Sequence, residues 1–187
     1  MKNVKIIALC GPKGVGKSTV AKSLVTKLHS LGQDAVIKSF ADPIRKIALA
    51  AGFEWEWITD PELKEKPHPV LGISARQFMQ GLSFLRDLNE DFFIKALERE
   101  IEAMSGLEQY LYVIIDDCRF DNEAMWLNAI NETNNVSGGC FELYRDGVDY
   151  TLEHESETPI NRALVESKIY CGDTDAAAKK ILLYVAQ

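Results

Sequence analysis

The run Gly11-Pro12-Lys13-Gly14-Val15-Gly16-Lys17-Ser18-Thr19 decides how this chain reads. It fits G-x-x-x-x-G-K-[ST], with Gly11, Gly16, Lys17 and Ser18 in the fixed places. A polyphosphate is densely charged, so a site for it needs several donors converging on one small volume. Glycines let the backbone curl until its N–H groups point inward, through conformations that a side chain forbids. A helix starting at Lys17 adds its unpaired N–H groups and the positive end of its dipole. In such a loop Lys17 reaches the β- and γ-phosphates, and the Ser18 hydroxyl takes a place on Mg²⁺. The expected nucleotide-binding residues are therefore Gly11, Lys13, Gly14, Val15, Gly16, Lys17, Ser18 and Thr19, with Lys17 catalytic and Ser18 a metal ligand.

The flanks supply the context this motif requires, a strand before it and a helix after it. Val4 to Cys10 is a short apolar, β-branched run suited to a buried parallel strand. Beyond Ser18, the residues Val20, Ala21, Leu24, Val25 and Leu28 share one helix face. The pair predicts binding of a nucleoside triphosphate or something very like it, with Mg²⁺.

Composition narrows the class. With 187 residues, 47% of them hydrophobic and 26% charged, the chain has the make-up of one soluble globular domain. A net charge of −7 argues against a nucleic-acid-binding surface, so positive charge for phosphate must be gathered locally. No apolar run is long enough to span a membrane. The first strand begins almost at the N-terminus, which leaves no room for a signal peptide. Cys10, Cys118, Cys140 and Cys171 are widely spaced and read as reduced packing residues, without metal spacing. These features point to the cytoplasm.

Further along, Ala35 to Phe40 reads as a second strand, and Asp42 as the N-cap of a helix with Pro43 in its first turn. Ile44, Ile47, Ala48 and Ala51 would be that helix's buried face. From Phe53 to Ile73 periodicity is lost; a stretch this long is either a binding lid or a solvated excursion. Ser74 reads as the N-cap of a helix with Phe78, Leu82 and Leu85 inside and Arg76, Gln80, Ser83 and Asp87 on the opposite face. Another helix follows Asn89, with Phe93, Leu97, Ile101 and Met104 on one side.

Tyr110 to Ile115 is the third strand, and it ends in Asp116-Asp117-Cys118-Arg119. A carboxylate at the carboxyl end of a strand, beside a phosphate loop, can hold Mg²⁺ directly or through its waters. Asp116 fits that position better than Asp117; the competing reading is an acidic turn that caps the next helix. A helix from Asp121, a strand from Gly139 to Arg145, a polar loop from Asp146 to Thr158, a strand from Lys168 to Cys171 and a helix from Asp175 complete the chain. His154 in the loop lacks a partner at ligand spacing and more often would not bind metal. Right-handed crossovers then give an α/β fold of the P-loop NTPase three-layer kind: a parallel sheet of about five strands with helices on both faces. Its ligands sit beyond the carboxyl ends of the strands.

Several runs together resemble the deoxynucleoside monophosphate kinases of bacteriophages, within the P-loop nucleoside monophosphate kinase group. They are the P-loop, Phe40-Ala41-Asp42-Pro43, Lys64-Glu65-Lys66-Pro67 leading to Ser74-Ala75-Arg76 and Gln80, Asp116 to Glu123, and His154-Glu155-Ser156-Glu157. Asp121 stands where the family often has proline, and the stretch between Gln80 and Arg86 is shorter than in the family. The resemblance implies one kinase domain over residues 1–187, with 40–88 binding the monophosphate and 145–162 forming a lid over ATP. It implies Phe40, Asp42, Arg76, Gln80, Arg86 and Arg119 as substrate-binding, Arg76, Arg119 and Arg145 as catalytic with Lys17, and Ser18 with Asp116 on the metal. The expected partners are then ATP and a deoxynucleoside monophosphate, with no nucleic acid polymer or membrane, a homodimer left open, and the host cell's cytoplasm as the location. Two alternatives remain: a P-loop kinase acting on a small metabolite's hydroxyl with Asp42 or Asp116 as base, and a nucleotide-binding regulator. A GTPase is disfavoured because no Asn-Lys-x-Asp run occurs.

Overall fold

The computed structural model describes residues 4–104, 111–134, 138–151 and 158–186. His154, Glu155 and Glu157 lie outside the described residues, as does the middle of the 145–162 segment. The chain divides into two compact units, Met1–Ser39 with Glu98–Gln187, and Phe40–Leu97.

The first unit is built on five parallel strands, β1 (Val4–Cys10), β2 (Asp34–Lys38), β3 (Leu111–Ile115), β4 (Gly139–Tyr144) and β5 (Ser167–Tyr170), in the spatial order β2-β3-β1-β4-β5. β1 lies at the centre, with Ile6 opposite Val113 on one side and Ala8 opposite Cys140 on the other. A central strand is covered on both faces, and Ile6, Ile7, Ala8 and Leu9 are each at most 1% exposed. Helices α1 (Lys17–Ser30) and α8 (Thr174–Val185) pack against one another. Their Leu24, Leu28, Ile181 and Val185 share a cluster with Ile7, Leu9, Phe141 and Leu143 of the sheet. A third helix, Asp121–Asn134, packs on β1 and β4 and buries Ala124 and Leu127. Side chains alternate along a strand, so it meets the face that Ile6 and Ala8 present. The α/β class, the parallel sheet of five strands and the helices on both faces are as expected.

The second unit is helical: α2 (Asp42–Ala50), α3 (Trp55–Thr59), α4 (Ala75–Gly81), α5 (Leu85–Leu88) and the start of α6 (Phe92–Met104). Numbering in chain order, the helix after β3 is then α7. Three expectations are corrected here. Asp42 is not an N-cap: Ala41 takes that position without a side-chain bond, and Asp42, one residue inside, directs its carboxylate to Arg45 at 2.7 Å. The buried face of α2 shrinks to Ala48, since Ile47 is 37% exposed and Ala51 lies outside the core. The single helix from Ser74 breaks at Gly81, a poor helix former, into a 3₁₀ turn over Leu82–Phe84 and the short α5. Arg76 and Arg86 are consequently on different elements.

Residues 53–73 are neither helix-length nor unstructured. They contain α3 and a 3₁₀ turn at Leu63–Glu65 around the buried His68. Its Nδ1 accepts from the Val70 and Leu71 N–H groups at 3.3 and 3.2 Å, its Nε2 lies 2.8 Å from Glu54, and its ring packs edge-on to Phe53 and Trp57. That hydrogen bond is the main cause holding the Glu54 carboxyl below its ordinary pKa. Among the described residues, no helix is long and apolar enough to cross a membrane.

Candidate active site

The loop between β1 and α1 takes its shape from glycine. Gly11, Gly14 and Gly16 have φ of 133°, 79° and 113°, a region that disfavours any side chain. At Gly11 there is also no room: a Cβ would come within 2.5 Å of the Leu143 carbonyl oxygen on β4. Val15, fully buried, anchors the loop, and the Cys171 thiol donates to its carbonyl at 3.2 Å. Gly16 caps α1 with no side chain over the end, and the first turn carries no acid. The helix therefore offers its amides and its positive dipole to a ligand.

Charged groups converge on this loop. Lys17 Nζ donates to the Gly11 and Pro12 carbonyls at 2.6 and 2.9 Å, bending back over the loop it follows. Arg145, at the end of β4, donates from Nη2 to the Gly14 carbonyl at 3.2 Å. Ser18 Oγ donates to Asp116 Oδ2 at 2.7 Å. That contact brings the start of α1 to the end of β3, which is β1's neighbour in the sheet. A hydroxyl and one carboxylate are enough protein oxygens for Mg²⁺, which keeps several waters and takes further oxygens from phosphate. The donor set fits Mg²⁺·ATP.

Asp117 is used differently from Asp116. Its carboxylate accepts a short hydrogen bond from Ser39, a buried residue just past β2. Below the pair, Cys118, Cys140 and Cys10 are all buried, with the Cys140 thiol 3.9 Å from that of Cys118. The hydrogen bond from Cys140 works to lower the Cys118 pKa, but burial and the charge of Glu123 push it up to about 11. Cys10, hydrogen-bonded to Cys140 and buried, is raised well above the ordinary thiol range. These thiols stay protonated and pack as small apolar groups, which is the role expected of them.

Arg119 is half-buried and follows directly. Its backbone N–H donates to Glu123 Oε2 at 2.8 Å, and that of Phe120 to the same oxygen at 3.2 Å. The remaining sequence-derived residues belong to the second unit. Arg76 Nε makes a short contact to Glu65 Oε1. Ser74 and Gln77 exchange hydrogen bonds at 3.1 Å each, a capping box that opens α4. Gln80 is exposed, and Phe40 is buried at 3% exposure. Arg86 lies over the Phe93 ring, 4.8 Å from its centroid.

Ser39, Glu65 and Glu123 were not marked as site residues from the sequence. Glu123 had a usable signal, since it stands at the third position of a helix where a carboxylate reaches back to the preceding amides. Ser39 had none, because its partner is 78 positions away.

No family model matches the chain, and no curated protein matches it. Among solved structures it resembles the Mycobacterium tuberculosis APS kinase. One such structure, a cysteine-to-alanine mutant, has a TM-score of 0.50 at 14% identity, with 100% of each chain covered. A second, in complex with AMPPNP and APS, has a TM-score of 0.50 at 13% identity, again with 100% of each chain covered. The tunicamycin resistance protein of Deinococcus radiodurans follows with a TM-score of 0.47 and 17% identity, over 97% of this chain and 95% of that one. The parallel sheet of five strands flanked by helices matches the P-loop NTPase architecture. At such low identity the likeness extends to architecture alone.

Proposed function

We propose that this chain is a P-loop kinase that transfers the terminal phosphoryl group of ATP to a small metabolite. The observation that carries the reading is the 2.7 Å hydrogen bond from Ser18 to Asp116. A P-loop hydroxyl and a strand-end carboxylate, side by side, are the protein groups that hold Mg²⁺ in this class of site. Bound there, the metal would draw charge from the β- and γ-phosphates. Lys17 would exchange the Gly11 and Pro12 carbonyls for phosphate oxygens, and the amides at the start of α1 would hold the part of ATP that is not transferred. Arg145, anchored on Gly14, would add a guanidinium to the same charge.

The finer reading is a deoxynucleoside monophosphate as acceptor. It is supported by the Asp116 to Glu123 run and by the Lys64-to-Gln80 run, both of which resemble the phage kinases. Such an acceptor is already anionic, so it needs no base; its obstacle is repulsion from ATP, which planar guanidinium groups relieve. Arg76 and Arg119 would fill that role, with Phe40, Asp42, Gln80 and Arg86 lining the acceptor's side. A second reading, transfer to a hydroxyl with Asp42 or Asp116 taking its proton, is favoured by the fold likeness to an APS kinase that was solved with AMPPNP and APS.

A coupled ADP-release assay over deoxynucleoside monophosphates, ribonucleoside monophosphates and hydroxyl acceptors, including APS, separates the two. If the acceptor is a monophosphate, Arg76→Lys and Arg119→Lys raise its KM or depress kcat severely, while ATP binding is kept and Asp42→Asn is tolerated better. Turnover with a hydroxyl acceptor alone, combined with near-normal arginine variants and a dead Asp42→Asn, establishes the second reading instead. No ADP release with any acceptor removes both.

A further inference from the structure

We propose that Glu123 is the positioning residue for Arg119, acting through the main chain; this rests on the reading of Arg119 as an acceptor-side arginine. Glu123 is 1% exposed, and a carboxylate buried to that degree is costly unless its oxygens are used. Its Oε2 accepts from two successive amides, those of Arg119 and Phe120. The same residue sits in the first turn of α7, so it joins the helix to the segment between β3 and α7. That segment runs Asp116-Asp117-Cys118-Arg119-Phe120. Its first two carboxylates are fixed by Ser18 and Ser39, and Cys118 is buried beneath. Glu123 closes the far end. Without it the Arg119 amide would lose a charge-assisted bond, and the φ/ψ of Arg119, which set where its guanidinium starts, would be free to drift. A displacement of about 1 Å at such a group is enough to cost catalysis heavily.

A structural cap alone would also use these bonds, so the test must read Arg119 and not just stability. Glu123→Ala removes the acceptor oxygens; Glu123→Gln keeps one oxygen and removes the charge. With the acceptor found in the panel, Glu123→Ala should lower kcat about tenfold or more, and Glu123→Gln less, with the KM for ATP within about twofold of the parent. The deciding measurement is a double-mutant cycle. In an Arg119→Ala background the further loss from Glu123→Ala should fall to about twofold or less, because a residue acting through Arg119 has nothing left to position. Should the alanine variant fail to fold by circular dichroism, the cycle is run with Glu123→Gln and the same expectation. Losses that multiply independently, or a Glu123→Ala enzyme with native kcat, overturn the proposal. If the parent phosphorylates no acceptor, the functional reading falls separately. Amide exchange then judges the positioning: faster exchange at Arg119 and Phe120 in Glu123→Gln supports it, and unchanged exchange overturns it.

Discussion

Asp116 and Asp117 are adjacent in the chain, equal in chemistry, and committed to different partners. Asp116 takes the hydroxyl of Ser18 on the P-loop, whereas Asp117 takes that of the buried Ser39. Adjacent residues at a strand end point to opposite sides, so the two carboxylates cannot both face the loop. Asp116→Asn should therefore shift the Mg²⁺ activation curve to higher concentration, and Asp117→Asn should shift it less. Equal and mild effects from both would return the pair to the role of a helix-capping turn. Lys17 is the second residue-scale test. Its ammonium reaches two loop carbonyls, and an alanine keeps neither the reach nor the charge. Lys17→Ala should cost about two orders of magnitude or more in kcat, with the circular dichroism spectrum unchanged. Near-native turnover in this variant would leave the P-loop assignment without chemical content. The Lys17 and Ser18 positions were legible from spacing and the preference for Asp116 from its place at the strand end, while the Ser39 partner of Asp117 was not.

At the scale of elements, what could be read depended on whether the signal was local. Ser74 as an N-cap is a local signal, and it is present, completed by Gln77 three residues on into a full capping box. Ser74→Ala removes the acceptor for the Gln77 amide inside a site that is 3% exposed, and should cost about 1 kcal/mol of stability. A urea melt would show it as a lower midpoint with an unchanged slope; an unmoved midpoint would mean that the cap is redundant. The break at Gly81 was less legible, because the apolar spacing of Phe78, Leu82 and Leu85 continues across it in helical register. Leu82 and Leu85, both half-buried, end up on separate elements, the 3₁₀ turn and α5. The first turn of α7 shows the opposite case. Asp121 accepts from the Asn161 amide at 2.8 Å, a contact 40 positions long that no local pattern announces. The proline common in the resembling family at this position has no side-chain oxygen to make it.

Over the whole molecule, the central strand organises both the sheet and the loop that follows it. All four cysteines are reduced and buried, three of them in or beside the strands and one, Cys171, against the P-loop. Thiols without solvent access and with raised pKa react slowly. A native sample should thus give almost no fast reaction with an aromatic disulfide reagent, and all four thiols should react once the chain is unfolded. Rapid stoichiometric labelling of the native protein would contradict the packing described. The sequence by itself determined the parallel α/β class, the phosphate loop, the strand before it and the helix after it. Each of these is written in short-range terms: a glycine spacing, an apolar run, a helical period. The tertiary structure alone decided the strand order β2-β3-β1-β4-β5, and with it that Ser39 holds Asp117 and that Arg145 reaches Gly14. Those contacts join residues 78 and 131 positions apart. Their partners are chosen by which strands lie side by side, and no local spacing along the chain encodes that choice.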